Sequence, residues 1–139
     1  MAEIVVDTSV VVKWYTRNSI MSTLVRSVMR ILMGRLILVA PALMPFEAVN
    51  ALEYGGHYDG ARLEEASRSL AEYGIDLVQF SNTGPVAEIA TTLDITSYDA
   101  AYIALAQALD TTVYTADEAL LDDLEGDCSE MAAHISAYA

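Results

Sequence analysis

Short apolar runs recur along the chain, and the segments between them repeat their apolar residues at helical spacing. Ile4-Val5-Val6 is the first such run. It is apolar on both faces, as in a strand buried inside a parallel sheet. A short helix is predicted from Ser9 to Tyr15, with Lys13 and Arg17 four apart on one side. Ser19 begins a longer helix in which Ile20, Leu24, Val28, Ile31 and Leu32 repeat, and Gly34 stops it. Leu36–Val39 is a second short apolar strand. Pro41 and Pro45 open a third helix that carries Phe46, Glu47, Val49, Asn50 and Leu52 and ends at Gly55-Gly56.

A fourth, more polar helix runs from about Asp59 to Tyr73, where Gly74 ends it, and Asp76–Phe80 is strand-like. Gly84-Pro85 leads into a fifth helix that finishes near Leu93. Ser97–Leu109 is apolar almost all round, so it reads as a buried helix with Ser97 as its N-cap. Thr112–Thr115 is a further strand, Asp117–Leu124 a further helix, and the tail through Ile135 an edge strand. Strands alternating with helices predict an α/β fold: a three-layer α/β/α sandwich on a mostly parallel sheet of about four to five strands. Residues 1–139 read as a single domain without internal repeat or linker.

Composition changes this picture in three places. With 54% apolar residues the chain is not of the disordered class. No apolar run approaches the roughly 18–20 residues needed to span a bilayer, and the N-terminus lacks a basic-then-apolar leader, so a cytoplasmic protein without membrane contact is expected. The lone Cys128 excludes an internal disulfide and a cysteine-based zinc site. Charge is lopsided: the first 68 residues hold all seven Lys and Arg and seven acids, so the whole net charge of −13 lies beyond Arg68. Such a field repels nucleic acid unless cations intervene, and it suits either a basic protein partner or adaptation to high salt.

Four acids stand where an α/β sheet places ligands. Asp7 and Asp117 each follow a predicted strand within two residues, and Glu47 and Asp99 lie early in predicted helices. Each also has an ordinary role: Asp7 as a helix cap, Asp117 and Asp99 as acids favoured by a helix dipole, Glu47 as a solvated helix residue. Gathering all four requires a cation or raised pKa values, because like charges 4 Å apart repel by about 4 kcal/mol at an effective dielectric near 20. Hard divalent ions suit such oxygen ligands, and one or two of them serve phosphodiester hydrolysis.

The residues around these acids carry a resemblance. Val6-Asp7-Thr8-Ser9 with Lys13-Trp14, Glu47-Ala48-Val49-Asn50-Ala51-Leu52, the block Ser97–Ala106 and Thr115-Ala116-Asp117 occur in the order found in PIN domains. Within that superfamily the chain resembles the VapC toxins of toxin–antitoxin pairs. The resemblance implies a metal-dependent endoribonuclease that uses Mg²⁺ or Mn²⁺, one ion or two, to activate a water. It also implies an RNA substrate, a homodimer and a VapB-like antitoxin whose C-terminal segment covers the site. Asp7, Glu47, Asp99 and Asp117 match the family's catalytic, metal-binding acids, and Ser9 and Thr115 its supporting hydroxyl positions. Asn50, one helical turn from Glu47, is a further supporting candidate, and Lys13 and Arg17 are candidate phosphate contacts.

Other α/β folds with acids at strand ends fit less well. A phosphate-receiving receiver domain wants a lysine late in the sheet, and none follows Arg68. An aspartyl-nucleophile phosphatase wants an acid two residues after Asp7, where Ser9 stands, and no phosphate-binding glycine loop is present. A PIN-like RNA- or protein-binding module without catalysis remains the alternative. Of the other polar landmarks, His57 and His134 read as surface residues, and Trp14 and Tyr15 as packing or dimer contacts. Met21, Met29 and Met33 read as a core or subunit-interface face.

Overall fold

The predicted alternation of strands and helices is realised in a computed structural model that describes residues 2–16, 20–56, 58–124 and 131–138. The elements run β1 (Glu3–Val6), α1 (Thr8–Tyr15), α2 (Ile20–Met33), β2 (Ile37–Pro41), α3 (Met44–Tyr54) and α4 (Gly60–Glu72). They continue β3 (Asp76–Val78), α5 (Gly84–Leu93), α6 (Ser97–Leu109), β4 (Val113–Thr115), α7 (Glu118–Asp123) and β5 (Ala132–His134), before a 3₁₀ turn over Ile135–Tyr138. Arg17, His57, Cys128 and the Ser19 start of the second helix lie outside the described residues.

All five strands are parallel, in the order β3-β2-β1-β4-β5. β1 is central: Val5 pairs with Val39 of β2 on one side and with Val113 of β4 on the other. Both faces of β1 are buried, which is why its sequence does not alternate with polar residues. Ile4 and Val6 face Val25, Val28, Met29 and Leu32 of α2, together with Leu38 and Ile135. Val5 faces the opposite way, with Val39 and Val113, onto α3, α5, α6 and α7. This gives the three layers. Between the aromatic residues near the start and middle of the chain, Trp14 packs on Tyr73 with ring centroids 4.1 Å apart. No described helix is long and apolar enough to cross a membrane.

Several boundaries move from their predicted positions. β2 runs on to Pro41, which therefore ends a strand instead of opening a helix. The last residue of β2 paired with β1 is Val39, so a proline beyond it breaks no bond to that neighbour. Thr96, not Ser97, caps α6: its backbone is extended and its hydroxyl accepts the Asp99 N–H at 3.0 Å. His134 is a half-buried residue of β5 instead of a surface one. Its Nδ1 contacts the Ser136 hydroxyl, and its Nε2 is buried without a partner among the described residues.

Candidate active site

The chain leaves β1 toward β2 on one side, while β4 joins β1 on the other, so the topology switches between β1 and β4. In open α/β sheets the crevice at such a switch, beyond the C-terminal strand ends, is where ligands bind. Asp7 directly follows β1, and Asp117 follows β4 by two residues. α3 leaves the same end of β2 and carries Glu47 in its first turn. α6 feeds β4 and so runs back against it, which brings Asp99, in its first turn, to that end as well.

Asp7 is the most enclosed of the four, 6% exposed. Its Oδ1 caps α1, accepting the Ser9 N–H at 2.9 Å and the Val10 N–H at 3.4 Å. The Ser9 hydroxyl also donates to Oδ1 and accepts the Ala116 N–H at 2.9 Å. The Ser9 and Thr115 hydroxyls lie 3.1 Å apart, and Thr115, like Ser9, pulls the Asp7 carboxyl down by a side-chain hydrogen bond. Thr115 Oγ1, fully buried, takes the Asp117 N–H at 2.9 Å. The ends of β1 and β4 are thus tied together by two hydroxyls. Burial pushes the Asp7 carboxyl from its ordinary 3.8 up to about 6, against the opposing pull of its hydrogen bonds.

Glu47 is held by a second network. Tyr102, 2% exposed, donates to Glu47 Oε1 at 2.7 Å, and Thr8 donates to the same oxygen at 3.0 Å. The two hydroxyls lie 2.6 Å apart, so two hydrogens serve three contacts and one edge is shared. Glu47 Oε2 stays outside this triangle. Burial first, then the nearby Glu47 and Asp7 charges, raise the Tyr102 hydroxyl far above its ordinary range and keep it a donor.

Asp99 and Asp117 face each other electrostatically. The Asp99 carboxyl is raised by burial, then by the charge of Asp117 and, more weakly, of Asp123. Asp117 also caps α7, its Oδ1 accepting the N–H groups of Ala119 and Leu120 at 3.0 and 3.3 Å. Asp7 and Asp117 therefore fill the ordinary capping role as well as their place at the sheet end. Asn50 is exposed and its side chain makes no hydrogen bond to the described residues, but it lines a cavity of about 600 Å³ with Thr8, Phe46, Glu47 and Tyr98. Lys13 is half-buried in the last turn of α1, where a cation suits the helix dipole, and Arg17 lies outside the described residues.

Sequence reading missed Tyr102, Thr8 and Asp123. Tyr102 looks like any core aromatic of an apolar helix; only its placement one turn beyond Asp99 hints at more. Oxygen donors and mutually repelling carboxylates have the chemistry of a site for a hard divalent cation. Among the described residues no three His, Cys, Asp or Glu side chains are closed into a metal cage.

A comparison with curated proteins finds no match. Among solved structures, the crystal structure of PAE2754 from Pyrobaculum aerophilum is similar in fold, with a TM-score of 0.70 over 98% of this chain and 91% of that one, at 20% identity. Residues 4–125 match the PIN domain family, from β1 to just past α7. The fold, the carboxylates at its switch point and that match agree: the chain belongs to the PIN domain family, whose members typically are nucleases that use divalent metal ions.

Proposed function

We propose that the protein is a metal-dependent endoribonuclease, with Asp7, Glu47, Asp99 and Asp117 as its catalytic acids and Mg²⁺ or Mn²⁺ as its cofactor. The observation that carries this is the convergence of acids at one end of the sheet: Asp7 is buried just past β1, Asp117 follows β4, and Asp99, raised first by burial, lies near enough to Asp117 to be raised further by its charge. Asp7, Glu47, Asp99 and Asp117 would hold a divalent ion there, which would supply positive charge toward the phosphodiester and lower the pKa of a water. The chain's own residues do the positioning. Ser9 and Thr115 fix Asp7 relative to Asp117, and Tyr102 and Thr8 fix one oxygen of Glu47 and leave the other for the site. Asp99 is presented from the capped first turn of α6.

In the finer reading the protein is a VapC-type toxin of the cytoplasm, a homodimer silenced by a VapB-like antitoxin. The block Ser97–Ala106 joined to Thr115-Ala116-Asp117 supports it, and a basic antitoxin tail would complement the acidic second half. The rival binding-module reading is favoured by the lack of a closed three-ligand cage among the described residues. RNA cleavage with Mg²⁺, with Mn²⁺ and with EDTA decides between them. Cleavage should require metal and fall at least about 100-fold in Asp7→Asn and in Asp99→Asn. Intact RNA under all conditions, from folded protein free of any partner, would leave the binding module. Growth arrest on expression, relieved by the product of a neighbouring small reading frame, tests the toxin role.

A further inference from the structure

Phe46 and Tyr98 are among the large apolar side chains most open to water, at 79% and 64% exposed. Each immediately precedes one of the acids, Glu47 or Asp99, in the first turn of its helix. They come from different helices and line one cavity of about 600 Å³, whose wall also includes Glu47, Thr8 and Asn50. Among the described residues neither ring packs on another aromatic, whereas Trp14, Tyr15, Tyr58 and Tyr73 stack among themselves. Leaving such rings in water costs hydrophobic free energy that burying them would recover. The Glu47 carboxyl on the same wall makes a lipid or an all-apolar occupant a poor fit.

Resting on the nuclease reading, we propose that Phe46 and Tyr98 form a stacking site for an unpaired nucleobase of single-stranded RNA next to the scissile phosphate. Stacking depends less on charge than phosphate binding does. With a net charge of −13 the protein gains little from phosphates, and stacking on a π-face needs no positive charge. A duplex keeps its bases paired and offers no such face, so the site selects single strands. The exposed amide of Asn50, on the same wall, is placed to meet a base edge.

The test uses the full chain in Mg²⁺ with a mixed-sequence single-stranded RNA 12-mer as probe. Phe46→Trp puts an indole in the groove, and Tyr98→Trp is the second reporter should the first fail to fold. Saturable quenching by the single strand and little by a duplex of the same composition is expected. Phe46→Leu and Tyr98→Leu should each weaken RNA binding about tenfold, since leucine keeps the apolar bulk but not the ring. Carboxylate-dependent cleavage with no quenching of either reporter would overturn the stacking site and leave the nuclease standing. Quenching without cleavage under any metal would uphold stacking and defeat the nuclease reading. Absence of both would defeat both. Quenching by a Lys/Arg-rich peptide but not by RNA would assign the groove to a protein partner and overturn the proposal.

Discussion

Asp7 combines a helix-capping duty with a carboxyl that burial holds away from water, and the two have opposite electrostatic preferences. A cap accepts N–H hydrogen bonds best as an anion, whereas burial favours the neutral acid, and burial dominates. Since the folded value of about 6 lies above the ordinary 3.8, the native state binds the extra proton between them. The contribution of this group to stability is therefore greatest below about pH 4 and falls as pH rises to about 6, by roughly 3 kcal/mol. Denaturant melts of metal-free protein in EDTA check this: Asp7→Asn, which keeps the cap oxygen, should flatten that part of the pH profile and be the more stable protein at pH 7. An unchanged slope would place the charged Asp7 in water. The acids themselves were legible in the sequence, each a polar break at the edge of an apolar run. Their hydrogen-bonding partners were less so, because Tyr102 reaches Glu47 only once α6 packs beside α3, a contact 55 residues apart in sequence.

Two helices, α5 and α6, end on aspartates in the left-handed region, Asp94 with φ 54° and Asp110 with φ 52°. Glycine takes this conformation without a side-chain penalty, and aspartate is among the few other residues that accept it. Asp110→Gly should stabilise the fold by about 0.5–1 kcal/mol, read from the urea midpoint at constant slope; a loss of stability would show that the Asp110 side chain makes a compensating contact. The sequence places these helix ends at Leu93 and Leu109, where the structure has them, although no glycine or proline marks either. β1, β2 and β4 were easier, each a doubly buried apolar run. The α6 start was ambiguous for a local reason: Thr96 and Ser97 are both good caps, and only the extended backbone at Thr96 selects it. β3 came out shorter than the strand-like segment Asp76–Phe80, because the pairing with β2 ends at Val78.

At the scale of the molecule, the excess of acids beyond Arg68 sets a repulsion that spans the second half of the chain. It includes Asp117 and Asp123, the two residues whose charge reaches Asp99. Salt screens such repulsion over about 10 Å at 0.1 M and about 3 Å at 1 M. The melting temperature should therefore rise by roughly 5 °C between 0.05 and 1 M KCl with EDTA present. A flat response would remove both self-repulsion and salt adaptation as meanings of the charge. The fold class and layer order were visible beforehand because they follow from alternation of apolar runs and helical periods. The direction of the charge's use was not, since net charge speaks to partners and solvent, not to fold. The central place of β1 has a consequence during synthesis. One edge of the first strand finds β2 early, but the other stays open until residues 113–115 leave the ribosome, and Asp117 comes only after them. A partly made chain therefore holds Asp7 on an unfinished sheet without Asp117, and the cell that makes this protein meets the assembled site only once translation has passed that residue.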